Sequence, residues 1–416
     1  MAERHYDPSS EKIMIEKGQI SATEALNSTY IIDGIRKDLT PAMILGELVE
    51  NTTVPRTCNT MFGEIVDESA DPPLMRGSFD GEKADHYLSL IKEKAGRPRT
   101  ISAGYSGSIT KIITAEAILD TLWRDGHFKI GDLHLEPAWK WDCTPIGNMS
   151  AFYTSVEELC GFSEMLGVRI SDYKFKENCK SSTLTVKAGL SPSILSEDDD
   201  FVDTDSPSVI SPEPHTGTFI CEEPFRSTNP VMRKRRRCPQ HISEDQSNWL
   251  IYIPFDTCKY HLGGSVLSEV SGIPGGKTIE ITDSDYFLDC YEVVREFVED
   301  GIVVSGTTVC TGGLMTALEK MRGESGGIDV DIDGILQAYK EKDIVNVLFG
   351  EVPGVVIEIR SSDFDYVDAE MLLQDVAFYP IGHPGSNGLN ISRGANGNLA
   401  GILLSLLNTQ AAEGED

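Results

Sequence analysis

Gly301 to Asp331 reads GIVVSGTTVCTGGLMTALEKMRGESGGIDVD. The β-branched residues Val303, Val304 and Val309 suit a buried strand. Gly312 and Gly313 then allow a sharp turn and a close backbone approach. Leu314 to Met321 follows as a run of helix formers with apolar residues at Leu314, Leu318 and Met321. The stretch therefore predicts strand, glycine turn, helix, glycine loop, strand. Two glycines at a helix N-terminus can seat a phosphate on free N–H groups, with the helix dipole adding to the attraction. The alternative is an ordinary βα turn, and a glycine pair alone does not decide between them.

Outward from this stretch the same alternation continues. Lys111 to Trp123 is apolar nearly all round and predicts a buried helix. On it Glu116 and Asp120 are spaced i, i+4 and lie side by side. Two buried like charges repel unless a cation sits between them, which makes the pair a candidate metal site. The alternatives are a solvated face or a neutralising Arg or Lys. Ser150 to Leu166 and Phe287 to Glu299 predict amphipathic helices, the second closed by Gly301. Thr183 to Ala188, Trp249 to Ile253, Ile328 to Ile332 and Val355 to Ile359 predict strands. The glycine turn at Leu262, Gly263, Gly264 and Ser265 lies between a strand and a helix, a second place where backbone N–H groups could meet a phosphate.

Several of these segments resemble, in order, the aminoimidazole ribonucleotide synthetase superfamily, in particular the C-terminal synthetase-like half of phosphoribosylformylglycinamidine synthase. The family frame Ser-Gly-His-Asp-x-Ser-Asp-Gly-Gly-Leu falls on Ser305 to Leu314. Thr307, Thr308 and Thr311 stand there in place of the His and both Asp. The family's Ala-Glu-Ala-x-x-Asn helix falls on Glu116 and Asp120, with Asp120 replacing the Asn. Its Trp-x-Trp falls on Trp139 and Trp141, and its Leu-Gly-Gly-Ser on Leu262 to Ser265. Its Leu-Phe-x-Glu-x-Pro-Gly falls on Leu348 to Gly354, and its Ile-Gly on Ile381 and Gly382. Lys174 stands near the family's Gly-Lys-Asp-Ser turn, without the following acid.

The resemblance implies a mixed α/β, two-subdomain aminoimidazole ribonucleotide synthetase-like fold. It implies an ATP-dependent C–N ligase of purine biosynthesis in which ATP activates an amide oxygen and ammonia displaces the phosphate. It places Mg²⁺ and ATP or ADP at Glu116 and Asp120, with phosphates at Gly263, Gly264, Ser265, Gly312 and Gly313. The three threonines remove carboxylates that Mg²⁺ prefers, so the expected nucleotide binding is weak and the site decayed. No residue is assigned as catalytic. No segment matches a glutaminase domain. The expected role is thus a degenerate, non-catalytic homologue with a structural or regulatory task; the alternative is a synthetase subunit of a split amidotransferase. The expected partners are a second copy or a purine-enzyme subunit.

Composition bounds the rest. The chain has 416 residues, 36 Lys plus Arg against 66 Asp plus Glu, and a formal charge of −30. That excess disfavours nucleic acid and anionic membrane as partners. Nine cysteines without a CxxC pair suit a reducing compartment, and the chain is expected to be cytoplasmic. The expected division is a loose extension over 1–30, subdomains over 31–190 and 249–405, and a tail over 406–416. Between the subdomains lies an acidic and basic insert over 191–248. SEDDDFVDTDSP and MRKRRRCP inside it carry too little apolar surface for a core. The basic run over 233–237 reads as a nuclear-import signal or a solvated charge block.

Overall fold

The computed structural model describes residues 22–49, 81–124, 128–177, 179–190, 238–272, 276–323, 326–386 and 388–392. In chain order the elements before the insert are α1 (Ala22–Asn27), β1 (Ile31–Ile32), β2 (Ile35–Arg36), α2 (Pro41–Leu48), α3 (Gly81–Ala95), β3 (Arg99–Thr100), α4 (Ser106–Arg124), β4 (Leu133–Lys140), α5 (Asn148–Met165), β5 (Arg169–Ile170), β6 (Lys174–Lys176) and β7 (Thr183–Leu190). After it come β8 (Trp249–Pro254), α6 (Val266–Ser271), α7 (Ser284–Asp300), β9 (Val303–Val309), α8 (Gly313–Arg322), β10 (Gly327–Asp331), α9 (Asp333–Tyr339), α10 (Ile344–Phe349), β11 (Gly354–Ile359), α11 (Phe364–Leu373), β12 (Tyr379–Gly385) and β13 (Gly388–Ser392). The fold is mixed α/β.

Each side of the insert builds its own sheet. The first has the order β3-β7-β4-β5, with β6 also paired to β4. Its strand β4 alternates buried Leu133, Leu135, Pro137 and Trp139 with outward residues, the period-2 pattern of a sheet with one face in the core. Trp139 and Trp141 pack against Phe152 of α5, with ring centroids 5.9 and 5.5 Å apart. The two tryptophans are therefore core residues. The second sheet has the order β13-β10-β12-β8-β11-β9. Strands β8 and β11 lie inside it and are almost wholly buried, which explains why their sequences, WLIYIP and GVVIEI, are mostly apolar instead of alternating.

Two expectations need correction. Residues 22–27 are not part of a loose extension: they form α1, with Ala25 and Leu26 buried and the Tyr30 hydroxyl donating to Ala25 O at 2.7 Å. Too few apolar residues stand there to show a period, but two suffice to anchor one helical turn. The insert is also shorter than the expected 191–248. Residues 191–237, with the acidic and basic runs, lie outside the described residues, but 238–248 form a strap along the edge strand β9. Gly306 N–H donates to Pro239 O at 2.9 Å and Ile242 N–H to Met321 O at 3.0 Å. Buried Glu358 of β11 holds the strap, accepting from Ser243 N–H (2.9 Å), Asn248 Nδ2 (2.8 Å) and, across on β9, Ser305 Oγ (2.6 Å). A covered edge cannot pair with another chain. The expected tail over 406–416 lies outside the described residues. No helix among the described residues is long and apolar enough to cross a membrane.

Candidate functional site

The two sheets meet where α4 crosses β9. Gly306 permits the crossing: a Cβ there would lie 2.3 Å from the Trp123 ring. Trp123 Nε1 donates to Thr308 Oγ1 at 2.9 Å, and the Thr311 hydroxyl donates to the Glu116 carboxylate. The Thr307 hydroxyl is buried without a hydrogen-bond partner. Two of the three threonines, Thr308 on β9 and Thr311 in the turn, thus hydrogen-bond across the seam through uncharged hydroxyls. Carboxylates in their place would add negative charge beside Glu116 and Asp120.

Glu116 and Asp120 do share one face of α4. Burial, and then the charge of Asp120, push the Glu116 carboxyl up to about 7; the Thr311 hydrogen bond and the charges of Arg99 and Lys320 pull the other way. Oδ1 of Asp120 is buried without a hydrogen-bond partner. Among the described residues no three His, Cys, Asp or Glu side chains gather as a metal-binding group. Mg²⁺ demands near-octahedral oxygen coordination and gives up its waters reluctantly. Two carboxyls supply only part of such a shell, and the rest would have to come from waters or ligand oxygens. By itself the pair does not complete a Mg²⁺ shell; it consists of two half-buried acids, one of them satisfied in part by the Thr311 hydroxyl.

The two glycine turns are tied inward. Gly263 N–H donates to Lys277 O at 2.8 Å, Ser265 N–H to Leu262 O at 3.0 Å and Gly313 N–H to Cys310 O at 2.9 Å. Gly312 N–H and Val266 N–H both donate to Oε1 of Glu351, at 2.8 and 2.9 Å. Arg99 Nη2 lies 2.7 Å from Oε2 of the same carboxylate, and its guanidinium also donates to Gly264 O. Glu351 and Arg99 are both buried. The chain's own carboxylate therefore sits at the starts of α6 and α8, where an anion is favoured by the exposed N–H groups and the helix dipoles. The N–H groups of Gly263, Ser265, Gly312 and Gly313 are engaged inside the protein and are not free for phosphate. The glycines themselves are demanded by packing: a Cβ at Gly264 would meet Tyr105 at 2.8 Å, and one at Gly313 would meet Leu348 O at 2.7 Å.

Beside the seam opens a cleft of about 1170 Å³. Glu116, Thr308 and Thr311 line one part of it; Lys92 of α3, Lys320 and Arg322 of α8, and His241 and Ser243 of the strap line others. Lys92 and Arg322 share Glu319, at 2.8 and 2.9 Å. Burial works against that carboxylate, yet the hydrogen bonds from Lys92 and Arg322 prevail and hold it below the usual range. With Lys320 exposed nearby, three cations line the cleft near Glu319. The sequence reading missed Arg99, Lys92 and Glu358. It quoted Glu351 inside Leu-Phe-x-Glu-x-Pro-Gly without giving it a task. A Glu next to two glycine turns could have signalled a partner for their N–H groups; Arg99 stands in a stretch with no motif.

No family model matches the chain. Among curated proteins it is 29% identical over 135 residues to a probable phosphoribosylformylglycinamidine synthase, chloroplastic/mitochondrial, of Arabidopsis thaliana. It is 25% identical over 140 residues to phosphoribosylformylglycinamidine synthase of Homo sapiens. Over that stretch the chain is phosphoribosylformylglycinamidine synthase-like. The stretches are 32% and 33% of this chain and only 9% and 10% of those synthases. Among solved structures, T. maritima PurL complexed with FGAR superposes with a TM-score of 0.48 at 9% identity, over 71% of this chain and 42% of that one.

Proposed function

We propose that this chain is a non-catalytic, synthetase-like protein of purine biosynthesis that takes a nucleotide-sized anion in its cleft without a metal and serves a structural or regulatory role. The observation that carries the reading is Glu351, a built-in carboxylate on the N–H groups of Gly312 and Val266. The turns that would cradle a triphosphate are closed by the chain itself. The three threonines at 307, 308 and 311 support it further, since neutral hydroxyls stand where carboxylates would help to hold Mg²⁺. What the cleft does offer is Lys92, Lys320, Arg322 and hydroxyls. Such a ligand is bound by cations rather than through a bridging ion, and its affinity is weak because exposed ion pairs contribute little. A second copy or a purine-enzyme subunit, in the cytoplasm, is the partner this role calls for.

Calorimetric titration with ATP, with and without Mg²⁺, tests the proposal. Binding is expected to be weak, indifferent to Mg²⁺, and reduced roughly fivefold by Lys320→Glu. Tight, Mg²⁺-dependent binding that disappears in Glu116→Ala would instead make the chain the synthetase subunit of a split enzyme.

A further inference from the structure

A second cavity, of about 670 Å³, opens where α4 and α5 begin, and it shares no lining residue with the cleft. Ser106 and Ser108 of α4 and Ser150 and Thr154 of α5 line it. Ser106 is only 4% exposed, and its hydroxyl has no hydrogen-bond partner among the described residues. The hydroxyls of Ser108, Ser150 and Thr154 have none there either. Buried hydroxyls are ordinarily hydrogen-bonded, and the cavity is the side from which a partner can reach Ser106. Lys111, the one cation among the described lining residues, is engaged: its Nζ lies 2.9 Å from Oε2 of Glu158 and donates to Ile281 O at 3.2 Å. Asp33 and Glu280 stand exposed in the lining without an ion-pair partner among the described residues. The half-buried Tyr105 ring adds an apolar wall, fixed by its hydroxyl donating to Gly276 O at 2.9 Å.

We propose that this cavity binds a small neutral polyhydroxylated compound, of which a free monosaccharide is the simplest case. Its volume suits a small molecule rather than a polymer. The groups in the lining then select among small molecules. Each serine or threonine hydroxyl can donate one proton and also accept, while a carboxylate only accepts. An ammonium ligand would satisfy Asp33 and Glu280, but it has no lone pair for the hydroxyl donors, and two helix starts disfavour a cation. A phosphate or carboxylate ligand would suit the hydroxyls and the helix starts. It brings no donor to Asp33 and Glu280, however, and it finds Lys111 already paired. A sugar hydroxyl donates and accepts at once, so one ring serves the acids and the hydroxyls together. Its C–H face is apolar enough to lie on Tyr105.

The test uses the full chain and saturation-transfer NMR, which reads weak affinities, with ribose and glucose as probes. Binding of at least one sugar is expected, and it should be roughly tenfold weaker in Ser106→Ala/Ser150→Ala, which removes two hydrogen-bonding hydroxyls. Asp33→Asn, a change that the left-handed backbone there (φ 52°) tolerates, should also weaken sugar binding, whereas it would strengthen the binding of an anion. The urea midpoint should be unchanged in both variants, which separates loss of the site from damage to the fold. Inorganic phosphate or ethylenediamine, each at the sugar's concentration, should not displace the sugar. The assignment uses no residue of the cleft, and either reading can fail alone. Absence of binding by both sugars, binding that ignores both variants, or displacement by phosphate or ethylenediamine would overturn it.

Discussion

Glu351 joins two helix starts and one guanidinium through a single buried carboxylate. Arg99 depends on it: Nε and Nη1 of that guanidinium are buried without hydrogen-bond partners, so its charge is compensated chiefly by Glu351. Breaking a buried pair from one side leaves the other charge stranded, at about 3–5 kcal/mol. Glu351→Ala should therefore lower stability to urea by about that amount, and the double variant Arg99→Met/Glu351→Leu should recover much of the loss. A double-mutant cycle checks this; simple additivity of the single losses would contradict the pair's role. Glu116 gives a pH signature with a definite sign. Its carboxyl is pushed from an ordinary 4.5 up to about 7 by burial and by Asp120, so the folded chain holds the proton more tightly than the unfolded one. Its contribution is complete below about 4.5 and is lost as pH rises through 7. The loss amounts to up to about 3 kcal/mol. Glu116→Gln, which cannot ionise, should remove this part of the slope. Equal pH dependence in both proteins, measured by urea unfolding from pH 4.5 to pH 8, would show that Glu116 is not so placed.

At the scale of elements, the decisive contact is α4 on β9. Its geometry is set by a missing side chain, because Trp123 occupies the space over Gly306. Gly306→Ala should push the indole out, break its hydrogen bond to Thr308, and cost at least about 2 kcal/mol by overpacking. Thermal unfolding checks it; a silent substitution would mean the helix can slide. The helices and strands on both sides of this contact were legible because each writes its own pattern: α4 in its all-round apolar residues, β8 and β11 in short, mostly apolar runs. The glycine turns were legible as turns. What they bind was not, because a glycine reports space and backbone freedom but never what fills the space. At Gly264 and Gly313 it is a tyrosine and a neighbouring carbonyl. Arg99 and Lys92 were illegible for another reason: they act through partners more than 150 residues away, Glu351, Gly264 and Glu319. No local pattern encodes such a pairing.

At the scale of the molecule, the two sheets are coupled by groups that neither can satisfy alone. Trp123 is buried against β9, Glu116 takes its hydrogen bond from Thr311, and Arg99 of the first sheet finds its counter-charge on Glu351 beyond the second. Separating the halves would expose the indole, leave two acids beside each other without the threonine, and strand a guanidinium. Chains of this length commonly unfold domain by domain, through populated intermediates. Here the separated state carries penalties of several kcal/mol from Arg99 and Glu351 alone, comparable with the stability of a whole domain. The halves should therefore unfold together. Tryptophan fluorescence draws on Trp139 and Trp141 in the first half, Trp249 in the second and Trp123 at the seam, and far-ultraviolet circular dichroism reports on both halves. In urea the two signals should trace one coincident transition. In Arg99→Met/Glu351→Leu the apolar pair still packs, yet the electrostatic tie between the halves is gone, so the two signals should draw apart even where total stability is recovered. Two separated transitions in the unaltered chain would mean that the seam contributes little, and that each sheet holds its own helices without the other.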